Sequence, residues 1–150
     1  KKNNLNLIWQ TGISYQEKAI DIISATSAKG INAFPFIKEM DLAYATADII
    51  ISRAGAIAIS ELCCVGKPAI LIPSPNVSED HQTKNAQAVV NKMAALLVKD
   101  KEADGKLVIC LKEIIDDEKK QKQLSENIKK LAVINAANII ADEIIGLTKE

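Results

Sequence analysis

The chain has 150 residues, of which 48 % are hydrophobic, enough for one domain with a sizeable core. It carries 19 acidic and 19 basic residues and only 3 % aromatic residues, which argues against a nucleic-acid-binding protein with a basic surface or a base-stacking platform. Its three cysteines fit neither a disulfide framework nor a zinc site, and no apolar run approaches the roughly 18 to 20 residues that span a bilayer.

Short apolar runs alternate with stretches of helical spacing, which is the pattern of strands and helices in an α/β sheet. Because each strand is joined to the next by a helix, the strands should run parallel. The predicted fold is a single α/β domain over residues 1–150, a doubly wound, Rossmann-like parallel sheet with C-terminal helices. We predict strands over residues 5–9, 31–36, 49–52, 69–72 and 94–98, and helices over residues 15–29, 38–47, 57–65, 81–92, 104–116, 117–132 and 135–145.

Glycine, proline and aspartate mark several of the predicted ends. Gly66 follows a predicted helix that Pro68 forbids to continue, so Gly66 should adopt a left-handed conformation. Pro35 interrupts its strand and starts the loop that follows. Asp80 is placed to cap the helix that begins at the next residue, and Gly146 should lie beyond the end of the last helix.

The chain is organised around a strand–helix–strand unit over residues 48–73. A turn of little side-chain bulk, Arg53-Ala-Gly-Ala56, joins its first strand to its helix and lets a ligand approach the backbone closely. Because the free N–H groups of a helix N-terminus attract anions, we interpret this turn as the cradle of a diphosphate. Glu61 in the same helix would then accept hydrogen bonds from ribose hydroxyls. The alternative is a tight packing turn beside a surface glutamate.

Two further loops follow predicted strands, at the edge where open α/β sheets bind ligands. His81, Gln82 and Asn85 open the helix that follows a proline- and serine-rich loop. The two amide side chains are three residues apart and share a helix face, and their neutral donors and acceptors suit the hydroxyls of a sugar. Phe36 and Ile37 are suited to hold a flat base. The alternatives are a surface or capping histidine and ordinary core packing of the apolar pair.

A series of motifs covers nearly the whole chain. The motifs are Trp9-Gln-Thr-Gly12, Phe36-Ile-Lys-Glu-Met40, Ala43-Tyr-Ala-Thr-Ala-Asp48, Ser52-Arg-Ala-Gly-Ala56, Ser60-Glu61, Gly66-Lys-Pro-Ala-Ile-Leu-Ile-Pro73 and Asp80-His-Gln-Thr-Lys-Asn85. In this order they resemble the C-terminal, donor-binding domain of the MurG family, whose members are family 28 glycosyltransferases of GT-B fold. Such enzymes transfer N-acetylglucosamine from UDP-N-acetylglucosamine to lipid I and make lipid II in peptidoglycan synthesis.

The resemblance implies a role for individual residues in binding the UDP-N-acetylglucosamine donor. The main chain of Ile37 would read the uracil edge, residues 56–58 would lie at the diphosphate and the sugar, and Glu61 would take the ribose hydroxyls. His81 and Gln82 would contact the N-acetylglucosamine. Where Ala58 stands, some members carry a threonine, so backbone N–H groups alone would serve the phosphate here. The implied substrate-binding residues are Phe36, Ile37, Met40, Arg53, Gly55, Ala56, Ile57, Ala58, Glu61, His81, Gln82 and Asn85.

The resemblance also implies what these residues do not supply. No catalytic residue, cofactor or metal ion is expected among them, because UDP-N-acetylglucosamine is a substrate and helix ends would stabilise the diphosphate charge. An N-terminal domain would bind the lipid I acceptor, supply the general base and contact the membrane. We therefore expect these residues alone not to catalyse the transfer. We expect no nucleic-acid partner, and a cytoplasmic location, peripheral on the inner face of the bacterial cell membrane.

Two other functions stay open at this point. One is the stand-alone catalytic subunit of the split N-acetylglucosamine transferase of N-glycan assembly, which resembles the same domain. The other is a non-catalytic nucleotide-sugar-binding module. The chain begins Lys1-Lys2 without a methionine and without the earlier strand and glycine-rich loop of the family, so we expect it to be a fragment.

Overall fold

A computed structural model of the protein describes residues 5–26, 29–76 and 80–148. The predicted helix positions 27–28 and loop positions 77–79 lie outside the described residues. By its internal contacts the chain divides into two compact units, an amino-terminal unit over Lys1–Thr46 and a carboxyl-terminal unit over Ala47–Glu150. None of the described helices combines the length and apolarity needed to cross a membrane.

The amino-terminal unit is built on a two-stranded parallel sheet. The strands β1 and β2 pair from Leu7 opposite Ile31 to Gln10 opposite Phe34, and the N–H of Thr11 extends the ladder by donating to the Phe34 carbonyl at 2.8 Å. The elements are β1 over Leu7–Gln10, α1 over Gln16–Thr26, β2 over Ile31–Phe34 and α2 over Met40–Thr46.

The carboxyl-terminal unit contains a three-stranded parallel sheet of order β3-β4-β5 and five helices in its described part. Parallel strands need a crossover between them, and the helices α3 and α4 supply it. The elements are β3 over Ile50–Ser52, α3 over Ala56–Val65, β4 over Ala69–Leu71, α4 over His81–Val90, β5 over Leu96–Leu97, α5 over Ala103–Ile115, α6 over Glu118–Lys129 and α7 over Ala136–Leu147.

The core of the carboxyl-terminal unit lies against the central strand. All three residues of β4 are fully buried, and Ile70 packs in one cluster with Val98, Ile114 and Leu124. The charged helix α6 contributes its apolar face, since Leu124 and Ile128 are both buried. A continuous apolar run buried on both faces is what a central parallel strand requires.

The predicted fold class, the five strands and the order of the helices are confirmed, and the strands run parallel within each of the two sheets. Gly66 ends α3 in the left-handed conformation with φ 68°, and an added Cβ would lie 3.3 Å from the Lys129 side chain. The positive φ therefore favours glycine, and a larger residue would also require the Lys129 side chain to shift by a few tenths of an ångström.

Two predictions of helix ends were wrong. Asp80 precedes α4, but its side chain makes no capping hydrogen bond, because its backbone is left-handed with φ 56° instead of the extended conformation of a capping residue. Gly146 lies inside α7, which continues to Leu147. A single glycine costs a helix only about 1 kcal/mol and does not by itself end one.

Candidate functional site

The turn predicted to bind an anion joins β3 to α3 over residues 53–55. Gly55 is the residue before the helix, with φ −65° and ψ 149°, and as a glycine it offers the helix N-terminus no side-chain capping hydrogen bond. The first turn of α3 also holds no acidic residue. The first-turn N–H groups and the positive end of the helix dipole are therefore available to an anion.

The space in front of this turn is open. A Cβ built on Gly55 would meet no atom within 4 Å, and the dihedrals of Gly55 are ones that any residue adopts. The backbone conformation therefore does not require glycine at this position. Glycine is also favoured over alanine at a helix N-cap, and close approach of a ligand to the main chain is a second physical reason for the small residue.

Ala54, in the middle of the turn, is fully buried and is held by two amide side chains of α4. The N–H of Ala54 donates to Oε1 of Gln82 at 3.2 Å, and Nδ2 of Asn85 donates to the Ala54 carbonyl at 3.4 Å. The same Oε1 of Gln82 accepts a second hydrogen bond of 2.9 Å from the N–H of Ser74, in the loop after β4. Gln82 thus joins the loops that follow two neighbouring strands.

Arg53 makes a second connection along the same edge of the sheet. Its guanidinium pairs with Asp100, which follows β5, and its Nη1 donates to the Ile72 carbonyl after β4 at 3.3 Å. The two charged side chains are 57 % and 37 % exposed. Exposed ion pairs of this kind contribute about 0–1 kcal/mol, so this connection is the weaker of the two.

The other predicted residues of the carboxyl-terminal unit lie on α3 and at the start of α4. Ala56, Ile57 and Ala58 form the first turn of α3, and the Ile57 side chain is 78 % exposed. Glu61 stands exposed in the second turn of α3, and His81 is the exposed first residue of α4. Both therefore lie at the protein surface, where a ligand can reach them.

Three of the predicted substrate-binding residues, Phe36, Ile37 and Met40, lie in the amino-terminal unit. Phe36 is 66 % exposed in the loop after β2, and Met40 begins α2. The N–H of Ile37, expected to read a base edge, donates to Oε1 of Gln10 at 2.8 Å. The N–H of Ile37 therefore already has a side-chain partner, which a base edge would have to displace.

The structure therefore brings Arg53, Gln82 and Asn85 together around the main chain of the turn. Ser74 and Asp100 take part in these contacts but were missed from the sequence. Gln10, which contacts Ile37 within the amino-terminal unit, was missed as well. Gln10 ends β1, Asp100 follows β5, and Ser74 follows β4, so the rule that sites lie at strand C-termini would have indicated them if applied to every strand. The binding roles of the twelve predicted residues stay predictions.

The described residues hold no grouped metal ligands, and their cysteines form no disulfide. Within residues 5–26, 29–76 and 80–148, no three histidine, cysteine or acidic side chains are grouped as a metal site would require. The thiols of Cys63, Cys64 and Cys110 are free. Burial raises the pKa of Cys63 above its ordinary value, with the neighbouring Cys64 adding to the effect, and burial likewise raises the pKa of Cys110.

Comparisons with known proteins cover nearly the whole chain. Residues 1–140 match the model of the glycosyltransferase family 28 C-terminal domain. A relative from Flavobacterium psychrophilum is 49 % identical over 146 residues, which are 97 % of this chain and 39 % of the relative. A relative from Bacteroides thetaiotaomicron is 48 % identical over 150 residues, 99 % of this chain and 40 % of the relative.

Both relatives are named UDP-N-acetylglucosamine--N-acetylmuramyl-(pentapeptide) pyrophosphoryl-undecaprenol N-acetylglucosamine transferase. Among solved structures, the crystal structure of Acinetobacter baumannii MurG matches with a TM-score of 0.85 and 27 % identity. That match covers 97 % of this chain and 42 % of the other. The chain therefore spans about two fifths of the length of the proteins it matches.

Proposed function

Because the chain belongs to the family of glycosyltransferase family 28 C-terminal domains, we propose that it is the donor-binding half of an inverting glycosyltransferase. The donor is UDP-N-acetylglucosamine, and the acceptor is the muramoyl-pentapeptide of lipid I, which becomes lipid II. The family resemblance predicted from the motifs is confirmed by the family match over residues 1–140. The names of the relatives support the donor and the acceptor.

The observation that carries the proposal is the uncapped N-terminus of α3 behind an open Gly55. A diphosphate placed there would accept hydrogen bonds from first-turn N–H groups and would face the positive end of the helix dipole. Since no acidic side chain lies in that turn, nothing in the turn itself opposes the negative charge. This is the arrangement that a UDP leaving group needs.

The helix terminus does not suffice for binding by itself. A charge at such a terminus gains about 0.3–1 kcal/mol, up to about 2 kcal/mol where it is partly buried. Even a dissociation constant of about 1 mM requires roughly 4 kcal/mol. The proposal therefore needs further contacts in addition to those with the diphosphate, such as the ribose contacts that the family resemblance implies for Glu61.

In the proposed reaction, a hydroxyl of the acceptor sugar attacks the anomeric carbon of N-acetylglucosamine from the face opposite UDP. The new carbon–oxygen bond forms as the bond to the diphosphate oxygen breaks, and the configuration inverts. The acceptor hydroxyl loses its proton to a general base that is supplied outside these residues. The N–H groups at the start of α3 stabilise the charge that develops on UDP.

We also propose how the enzyme uses cofactors, where it binds its acceptor and where it works in the cell. The donor site works without a metal ion or other cofactor, and the chain alone does not turn over. The acceptor and the membrane are contacted through an N-terminal domain, and the enzyme works in the cytoplasm, peripherally on the inner face of the membrane. The relatives, of which this chain spans about two fifths, support the need for further residues.

Calorimetric titration of the chain tests the proposal. UDP-N-acetylglucosamine should bind with the same affinity in magnesium and in EDTA, and UDP-glucose, which lacks the acetamido group, should bind more weakly. No heat with UDP-N-acetylglucosamine while another nucleotide sugar binds would overturn the donor assignment. Loss of binding in EDTA would overturn the metal independence.

A further inference from the structure

The backbone of Ala54 lies beyond the end of a strand ladder and still needs hydrogen-bond partners. The last contact of the ladder in this region is made by the N–H of Ile72, which donates to the Ser52 carbonyl at 2.8 Å. Ala54 itself is fully buried, so water does not serve its N–H and carbonyl. A buried main-chain group without a partner costs about 1–3 kcal/mol.

Two side chains of α4 supply these partners, one for the N–H of Ala54 and one for its carbonyl. Gln82 accepts from its N–H at 3.2 Å, and Asn85 donates to its carbonyl at 3.4 Å. The two side chains can act together because residues three apart lie on one face of a helix. We call this pair, Gln82 and Asn85, the Ala54 clamp.

The orientation of the Gln82 amide follows from its partners. Both the Ala54 N–H and the Ser74 N–H are donors, so the atom that faces them is the oxygen and not the nitrogen. The oxygen has two lone pairs, and the two main-chain donors use both. Only the Nε2 group of Gln82 can therefore turn toward a ligand.

We propose that Gln82, with Asn85 in support, is a positioning residue that holds the turn over residues 53–55 in the conformation that presents the N-terminus of α3 to the donor diphosphate. This inference rests on the proposed function. It assigns Gln82 a role in diphosphate binding that is separate from the sugar contact implied by the family resemblance. The Asn85 contact is the longer of the two, so Gln82 carries most of the effect.

The clamp matters because α3 begins immediately after the turn. The first helical hydrogen bond, from Ile59 N–H to the Gly55 carbonyl at 2.9 Å, starts one residue beyond Ala54. A shift of the Ala54 peptide therefore redirects the first-turn N–H groups. Anion sites built from main-chain donors lose affinity when these donors are misplaced by as little as about 1 Å.

The test compares Gln82→Met and Gln82→Glu by amide hydrogen exchange, measured by NMR at Ala54 and Ser74. Methionine keeps the length of the side chain and removes the acceptor, whereas glutamate keeps an acceptor oxygen and removes the amide donor. Exchange at both positions should rise about tenfold in Gln82→Met, consistent with loss of one hydrogen bond, and stay near the wild-type rate in Gln82→Glu. Fast exchange in both variants would overturn the acceptor role.

The second measurement is the affinity for UDP, which lacks the sugar. Gln82→Met should weaken UDP binding about tenfold, which a contact to N-acetylglucosamine cannot explain. Gln87→Met is the matched control, since Gln87 is exposed on the same helix and its side chain donates to Asn91 at 2.7 Å, one turn along that helix. It should change neither exchange nor affinity.

The outcomes separate the clamp from the proposed function. Unchanged UDP affinity in Gln82→Met would overturn the positioning role and leave Gln82 as a sugar contact. A wild-type chain that does not bind UDP would overturn the proposed function, and the exchange rates at Ala54 and Ser74 would still decide whether the clamp exists. If Gln82→Met fails to fold, Gln82→Glu still tests the clamp, because fast exchange at Ala54 and Ser74 in a variant that keeps the acceptor oxygen would overturn it.

Discussion

The backbone N–H of Ile37 donates a hydrogen bond of 2.8 Å to Oε1 of Gln10, a residue 27 positions earlier at the end of β1. The amide oxygen of Gln10 has the same acceptor chemistry as a uracil carbonyl. If the Ile37 N–H is to read a base edge, the base must replace the Gln10 side chain. Gln10 and the base then compete for one donor.

This competition predicts opposite effects for two substitutions. Gln10→Leu removes the competing acceptor and should strengthen uridine binding by roughly twofold to tenfold, the net worth of one neutral hydrogen bond. Gln10→Glu offers a charged acceptor that holds the N–H more tightly and should weaken uridine binding. NMR titration measures the affinity of each variant for uridine, which carries no phosphate to repel the glutamate. The reverse order would show that Gln10 supports the loop instead of competing with the base.

Gly55→Ala should separate ligand binding from stability. An alanine fits the backbone conformation at Gly55 and meets no atom, and the gain of about 0.4–1 kcal/mol from a stiffer unfolded chain offsets a similar loss at the helix N-cap. The free energy of unfolding in urea should stay within about 1 kcal/mol of wild type. UDP binding should weaken by about 1–3 kcal/mol, the usual cost of a methyl group forced into an occupied space.

The matched control for this substitution is Gly105→Ala in the first turns of α5. An added Cβ there also meets nothing within 4 Å, so the change should stabilise the helix by up to about 1 kcal/mol and leave UDP binding unchanged. Equal UDP affinity in Gly55→Ala and wild type would mean that no ligand approaches the turn.

Glu61→Ala should weaken UDP binding by about 1–3 kcal/mol if the carboxylate accepts hydrogen bonds from the ribose hydroxyls. Glu61 is exposed in the second turn of α3, so the substitution should leave the midpoint of thermal unfolding within a few degrees of wild type. Calorimetry with UDP and with 2′,3′-dideoxy-UDP measures the effect. The dideoxy compound should bind wild type and Glu61→Ala equally, and a difference between them would assign Glu61 another role.

Ile70→Ala should destabilise the carboxyl-terminal unit by about 2–5 kcal/mol. Ile70 lies in the central strand, has no exposed surface, and packs against Val98, Ile114 and Leu124. Denaturant unfolding followed by circular dichroism measures the change. Ile140→Ala is the control, because Ile140 is 60 % exposed on α7 and its loss should cost no more than about 0.5 kcal/mol.

The cysteines should differ in their reactivity toward iodoacetamide. Burial raises the pKa of Cys63, so its reactive thiolate is scarce at neutral pH, while its neighbour Cys64 is exposed on the same helix. Mass spectrometry at pH 7 should show Cys64 modified first. The rate at Cys63 should rise as the pH increases through its raised pKa. Early modification of Cys63 at pH 7 would contradict its burial.

The order of strands and helices could be predicted from the sequence because it depends on local signals. Apolar periodicity indicated all five strands, and Gly66 with Pro68 marked the end of α3. The local signals failed at Asp80, where the backbone conformation outweighed the capping preference, and at Gly146, where the helix tolerated a glycine.

The partners of the site residues could not be predicted in this way. Gln82 was expected to face a sugar, yet its oxygen binds main-chain groups 28 and 8 residues away, and Arg53 pairs with an acid 47 residues along the chain. These separations along the chain result from the crossovers of a parallel sheet, which bring loops from separate parts of the chain to one edge of the sheet.

The sequence by itself therefore determined the fold class, the family and the turn before α3 as the candidate diphosphate site. Repeating apolar positions and turn residues are set within a few neighbours, and a short motif can be recognised without its surroundings. Only the tertiary structure decided that Gln82 and Asn85 hold the Ala54 peptide and that Gln10 occupies the Ile37 N–H. A side-chain hydrogen bond joins whichever donor and acceptor the packed strands bring within about 3 Å, and the local sequence does not encode that distance.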